Sequence, residues 1–198
     1  GFSGLYLINF GDTAVIKYFM TTEDVAIYNV AFKLFNAIAN FAFVISSYYA
    51  GSVSQYFANN DSKKIKQFFY KERPLIIGLS TMAHIAVMIF SKPIITTLYG
   101  ERYVQSVAIF NVLMIGSIFR YLTVFYMLYY NTNNKYKLQQ TINIFRAILN
   151  VGLDIVFIQI FGLIGTAIAT TIAIFTGFVF SFFYCEKRIK KASKVVEG

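Results

Sequence analysis

The sequence predicts an all-α integral membrane protein, a single bundle of six transmembrane helices over residues 1–198, and three observations predict it. The 198 residues are 57% hydrophobic and 19% aromatic but only 14% charged, about half the charged share with which a soluble domain wets its surface. The mean hydropathy is +0.58, and a spanning helix takes about 20 mainly apolar residues, so there is room for about six. Short polar or Gly/Pro breaks separate the apolar stretches, which implies antiparallel neighbours within one domain.

The first span covers about residues 4–20 and closes at Thr21-Thr22-Glu23-Asp24. The second, 25–57, runs to Asn59-Asn60-Asp61-Ser62-Lys63-Lys64. Pro74 and Pro93 bracket the third, 74–90, and mark its ends rather than a gating kink. The fourth, 103–130, precedes the break Asn131-Thr132-Asn133-Asn134-Lys135, and the fifth (136–161) and sixth (162–184) meet at the Phe161-Gly162 turn. A basic tail, 185–198, follows. The chain opens Gly1-Phe2-Ser3-Gly4, without an initiator Met or a charged signal-peptide head, as expected of a piece of a longer chain.

Twelve of the 18 Lys and Arg residues fall on one side of this arrangement: Lys63, Lys64, Lys66, Lys71 and Arg73, then Lys135 and Lys137, then Lys187, Arg188, Lys190, Lys191 and Lys194. The alternate connections hold Lys92 and Arg102, with Glu23 and Asp24 on the same side. The positive-inside rule then places both ends in the cytoplasm. The net charge of +9 would also suit nucleic acid, but the cations sit where spans are anchored, so no nucleic-acid partner is expected. The sequon Asn60-Asp61-Ser62 lies in a basic, inward connection and is not expected to carry a glycan. One Cys and one His argue against a disulfide and a structural zinc site.

Six charges fall inside the spans: Lys17, Lys33, Arg120, Arg146, Asp12 and Asp154. Each costs roughly 2.5 to 3.5 kcal/mol at a helix centre facing lipid, so they should face one another or a wet cavity. Spacing agrees. On the second span Asn29, Lys33, Asn36 and Asn40 recur in steps of three and four, and Ser47, Gly51 and Ser54 continue that face. On the fifth, Gln139, Asn143, Arg146, Asn150 and Asp154 stay within a sector of about 80°. The fourth offers Ser117, Arg120 and Thr123; the first offers Asn9, Thr13 and Lys17, with Asp12 adjacent. Such residues also serve as interhelical hydrogen-bond glue. Two stripes each centred on a cation point instead to a lumen that meets an anionic, hydroxyl-bearing solute.

The sixth span carries Gly165, Ala169, Ala173, Gly177 and Ser181 at a four-residue period and is expected to be a packing helix. His84 has no second His, Cys or acid at helical spacing, which favours a hydrogen-bonded interior imidazole over a proton carrier. No phosphate-cradling Gly-rich loop, nucleophile elbow or paired-carboxylate constellation appears, so an enzyme is disfavoured.

Three motifs resemble a known family. Asp12 with Val25-Ala26-Ile27-Tyr28-Asn29-Val30-Ala31-Phe32-Lys33-Leu34 resembles a signature of polysaccharide and lipid-linked oligosaccharide flippases. Leu98-Tyr99-Gly100-Glu101-Arg102-Tyr103 is similar to their aromatic-Gly loop, and Phe161-Gly162-Leu163-Ile164-Gly165-Thr166-Ala167-Ile168-Ala169-Thr170 to their Gly turn. Ala26 stands where that family usually has Gly, and Thr166 where it often has Ala. The resemblance covers the whole chain and implies the C-terminal half of a two-lobe, Wzx-type transporter of the MATE-like MOP exporter superfamily.

By this resemblance the chain would help flip a polyprenyl-pyrophosphate-linked glycan across the bacterial cytoplasmic membrane by alternating access, for surface polysaccharide synthesis. Its partners would be the bilayer, the N-terminal lobe of the same parent chain and the lipid-linked glycan. The expected cavity residues are Lys17, Lys33, Asn36, Asn40, Arg120, Asn143, Arg146 and Asn150; Asp12 and Asp154 would be counter-charges or ion-coupling sites. No metal or organic cofactor is expected, with coupling to a proton or sodium gradient or to the membrane potential left open. The alternatives are an ion-coupled small-molecule exporter of the same superfamily, a membrane glycosyltransferase or polymerase, and an assembly subunit of the same pathway.

Overall fold

A computed structural model describes residues 2–193, with side chains described from Gly11 onward. The elements are α1 (Phe2–Phe19), α2 (Thr22–Ala58), α3 (Ser62–Gln67), a π-helical turn (Phe68–Glu72), α4 (Arg73–Ile89), α5 (Ser91–Tyr99), a 3₁₀ turn (Glu101–Tyr103), α6 (Ser106–Thr132), α7 (Tyr136–Phe161) and α8 (Leu163–Ala192). There are no strands among the described residues. Five helical rods within the described residues are long and apolar enough to cross a membrane: α2, the α3–α4 rod, α6, α7 and α8. α1, 18 residues long, precedes them, and Asn9 of its expected polar face lies outside the described side chains.

Local chemistry sets the boundaries. Thr21 and Asp24 form a capping box at the start of α2: the Asp24 N–H donates to Thr21 Oγ1 at 3.2 Å and the Thr21 N–H to Asp24 Oδ2 at 3.0 Å. Asp61 caps α3 by accepting from the Lys64 N–H at 3.0 Å, so the sequon residue does structural duty. Between α7 and α8 the link is Gly162 alone, at φ 65° and ψ −148°, a conformation open essentially to glycine.

α6 forms the centre. α2 and α8 pack along it and α4 lies on its flank, while α7 packs between α8 and α1. One apolar core gathers Tyr28, Phe35, Phe110, Leu113 and Met114; a second gathers Phe68, Phe69, Phe125, Tyr130, Cys185 and Ile189. Along α6, Ser117 and Arg120 fall between these two cores. The α7–α8 hairpin is tight at Gly165, where a Cβ would overlap the Phe157 carbonyl.

Three expected boundaries move. The third span starts at Ser62, not Pro74, because four of the five cations of the supposed inward loop, Lys63, Lys64, Lys66 and Lys71, lie on the exposed face of a helix whose other face is buried: Ile65, Phe68 and Phe69 are at most 2% exposed, and Arg73 turns inward with them. Pro74 therefore sits inside a continuous rod. It has no N–H to donate and its ring crowds the carbonyl four residues back, and the wider π turn, in which the Arg73 N–H reaches Phe68 O, takes up that mismatch. The fourth span starts at Ser106, after α5 and the 3₁₀ turn.

The basic tail is helix as far as Ala192, because Cys185 and Ile189, one turn apart, are fully buried; Lys194 lies outside the described residues. An ion pair ties these segments together. Arg73 Nη2 meets Glu186 Oε1 at 2.5 Å, the Tyr126 hydroxyl donates to the same oxygen at 2.7 Å, and the guanidinium lies over the rings of Phe69 and Tyr126.

Candidate functional site

Two polar clusters occupy the interior, and the fifth-span stripe builds a wall of both. The first is acidic. Asp12 of α1 and Asp154 of α7 are 2% and 0% exposed. Asn150, one turn before Asp154, donates through Nδ2 to Asp12 Oδ1 at 2.6 Å and to Asp154 Oδ2 at 2.9 Å. The Tyr28 hydroxyl of α2 and the Thr170 hydroxyl of α8 both donate to Asp12 Oδ2, the latter at 2.9 Å. Four helices thus converge on one carboxylate. Asp154 Oδ1 is buried and has no hydrogen-bond partner, which leaves one carboxyl oxygen open in a cluster of five oxygen-bearing side chains. Among the described residues no three His, Cys, Asp or Glu side chains cluster as a metal site. Oxygen donors of this kind suit a proton or a hard monovalent cation.

The second cluster is cationic. Arg120 of α6 donates through Nη2 to Asn40 Oδ1 of α2 at 3.3 Å and lies over the Phe43 ring at 5.0 Å. Arg146 of α7 donates through Nε to the Ala173 carbonyl of α8 at 3.2 Å and through Nη1 to Asn143 Oδ1 at 3.4 Å. Both guanidiniums line a cavity of about 160 Å³ with Thr123, Gln139, Asn143 and Ser181, and a smaller one with Asn36, Asn150 and Thr170. Among the described residues neither arginine is paired with a carboxylate. The two clusters share a wall, since Asn150 and Thr170, which hold Asp12, also face the smaller cavity.

The structure therefore brings Asn36, Asn40, Arg120, Asn143, Arg146 and Asn150 together, and separately Asp12 with Asp154. Lys17 and Lys33 are exposed on the surface of the bundle and line neither of these cavities. Asn29 accepts from the Thr13 hydroxyl at 3.3 Å and fastens α1 to α2. Spacing does not point to two members of these clusters. Tyr28 sits beside the α2 stripe, not in it, and its partner lies sixteen residues back. Thr170 belongs to α8, expected to be a packing helix; the uncharged small-residue face hid a hydroxyl and a carbonyl, Ala173 O, that serve the two clusters.

His84 is an interior imidazole, 3% exposed. Its Nδ1 lies 2.7 Å from Ser80 O and its Nε2 2.8 Å from Ser117 Oγ: the carbonyl can only accept, so Nδ1 donates, and in the neutral ring Nε2 accepts from the serine hydroxyl. The ring stands edge-on to Tyr121 at 4.7 Å.

The chain as a whole is similar to known proteins. Over 170 residues, 86% of this chain, it is 22% identical to the "Probable low-salt glycan biosynthesis flippase Agl15" of Haloferax volcanii. Over 193 residues, 96% of the chain, it is 23% identical to an uncharacterized membrane protein of Methanocaldococcus jannaschii. The chain spans 36% and 38% of the lengths of these two relatives. No solved structure matches it significantly. The family model for "Lipid II flippase MurJ" matches residues 41–196, from the middle of α2 through α8, so it takes in both arginines and the α7 stripe. With more than half of its length so matched, the chain belongs to the MurJ family of lipid II flippases.

Proposed function

We propose that this chain is one lobe of a two-lobe flippase that carries a polyprenyl-diphosphate-linked glycan across the cytoplasmic membrane, with Arg120 and Arg146 as the seat of the diphosphate. The observation that carries this reading is the arginine pair: two guanidiniums inside the span, facing the same cavities, with no described carboxylate beside them. Holding two cations there without a counter-ion is unfavourable, and a diphosphate diester supplies two negative charges with oxygens matched to the guanidinium fork. The amides of Asn36, Asn40, Asn143 and Asn150 offer donors and acceptors to sugar hydroxyls. Lys17 and Lys33, exposed on the lobe, take no part in this seat.

Family membership makes the chain part of a transporter rather than an enzyme. The Asp12–Asp154 pair is the coupling site in this reading. It takes up a proton or a sodium ion at the open Asp154 oxygen, and its shared wall with the arginines links that step to substrate by alternating access. The excess of cations on one set of connections supports both ends of this segment lying in the cytoplasm. A bacterial membrane rests on the resemblance to Wzx-type flippases, since the two curated relatives come from archaea. A cationic cavity disfavours an exporter of cationic drugs.

The test is translocation of a labelled polyprenyl-diphosphate glycan in proteoliposomes by the complete flippase, wild type against Arg146→Gln, with thermal stability measured alongside. Lost transport with stability kept supports the reading. Unchanged transport returns Arg146 to helix packing and overturns it.

A further inference from the structure

The glycines of α8 and α6 are not alike. A Cβ at Gly165 would strike the Phe157 backbone, and one at Gly116 would press on Thr171 at 3.1 Å, so both allow helices to approach closely. At Gly177 the neighbour is a charged side chain. A Cβ there would overlap Arg146 Cδ and come within 2.7 Å of Nε and 3.2 Å of Cγ. The arginine lies flat across α8 in the notch that the glycine leaves.

The notch also opens an acceptor. In a helix the Ala173 carbonyl already accepts the N–H of residue 177, so its second lone pair is what Arg146 Nε reaches at 3.2 Å. The Cβ of a helical residue tilts toward the helix N-terminus, so a methyl at 177 would stand over that lone pair. With Nε held by Ala173 and Nη1 by Asn143, three of the five guanidinium N–H donors remain for the cavity that Gly177 itself lines beside Arg120.

We propose that Gly177 is a positioning residue for anion recognition: it seats the Arg146 side chain flat on α8, so that the guanidinium faces the cavity shared with Arg120. The inference rests on the reading of the arginine pair as the diphosphate seat. It assigns to the small-residue face of α8 a role in substrate binding, and it makes the fit between residues 146 and 177 a determinant of affinity.

A double-mutant cycle tests it. Binding of farnesyl diphosphate to the complete flippase in nanodiscs is measured for wild type, Gly177→Ala, Arg146→Ala and the double variant, at two salt concentrations. Arg146→Ala is expected to weaken binding about tenfold and to make its salt dependence shallower, since one cation no longer meets the anion. Gly177→Ala should do the same in the wild-type background, yet change affinity less than about twofold where residue 146 is Ala and nothing fills the notch.

Wild-type affinity in Gly177→Ala, or an equal loss in both backgrounds, would overturn the positioning role while leaving the arginine seat intact. If Arg146→Ala itself binds as wild type, the arginine seat falls and this inference with it. If Gly177→Ala does not fold, the double variant is expected to fold because its notch is vacant; failure of both reduces Gly177 to packing and overturns the proposal.

Discussion

Asn150 and Asp12 stand 138 positions apart in the chain, and the Asn150 Nδ2 lies 2.6 Å from the Asp12 carboxylate. The same nitrogen serves Asp154 at 2.9 Å, so one amide screens two buried acids from each other. Asn150→Leu should lower stability by about 1–3 kcal/mol, the cost of leaving buried acceptors unsatisfied. Adding Asp154→Asn should recover most of it by restoring an amide donor beside Asp12. Thermal unfolding in detergent of the two variants checks this; a double variant no more stable than the single would rule out the shared-amide account.

The hairpin between α7 and α8 gives a second expectation. Because a Cβ at Gly165 would meet backbone and not a flexible side chain, Gly165→Ala should destabilise by about 3 kcal/mol, the upper range for overpacking. Gly152, with open space around its Cβ position, is the control on α7 and should tolerate Ala or gain slightly in helix propensity. Unfolding midpoints of the two variants separate close approach from a general glycine effect.

Removing one member of the Arg73–Glu186 pair should cost about 3 kcal/mol, since each side chain is less than a quarter exposed and the survivor keeps an uncompensated charge. The variant Arg73→Met with Glu186→Leu should be closer to wild type than either single change. A cycle of four unfolding curves measures the coupling, and additivity would mean that the aromatic cage of Phe69 and Tyr126, not the ion pair, holds the rods together.

Cutting the chain after Tyr184, where hydropathy alone ends the last span, should abolish folding or lower the midpoint strongly. It removes Cys185 and Ile189, both fully buried against α3 and α6, and Glu186 with them. Limited proteolysis and unfolding of the truncation against the uncut chain distinguish a folded helix end from an unpacked tail.

Much of the fold was legible because spans are written in apolar length. The bounds 136–161 of α7 agree with its sequence stretch, and the α7 stripe proved to be one face, since Asn143 touches Arg146 and Asn150 touches Asp154. Amphipathic helix ends were not legible. Lys63, Lys64 and Lys66 read as loop because hydropathy averages over Ile65, Phe68 and Phe69, which face inward. Lys17 and Lys33 shared period and charge with the arginines but not their place, because a stripe gives a direction on its own helix and says nothing of which neighbour it faces. Thr170 went unread for the opposite reason: an uncharged hydroxyl on a small-residue face carries no electrostatic signal in sequence.

The 37 residues of α2 make a rod about 55 Å long at 1.5 Å per residue, against a hydrocarbon layer of about 30 Å. Such a rod overhangs the membrane or leans within it, and either way it is a lever. A swing of about 10° about one end carries the other through about 10 Å. Asn36 and Asn40, near the middle of the rod, would move only about half as far. Small readjustments at the polar layer are thus geared up to large excursions at the rim of the bundle.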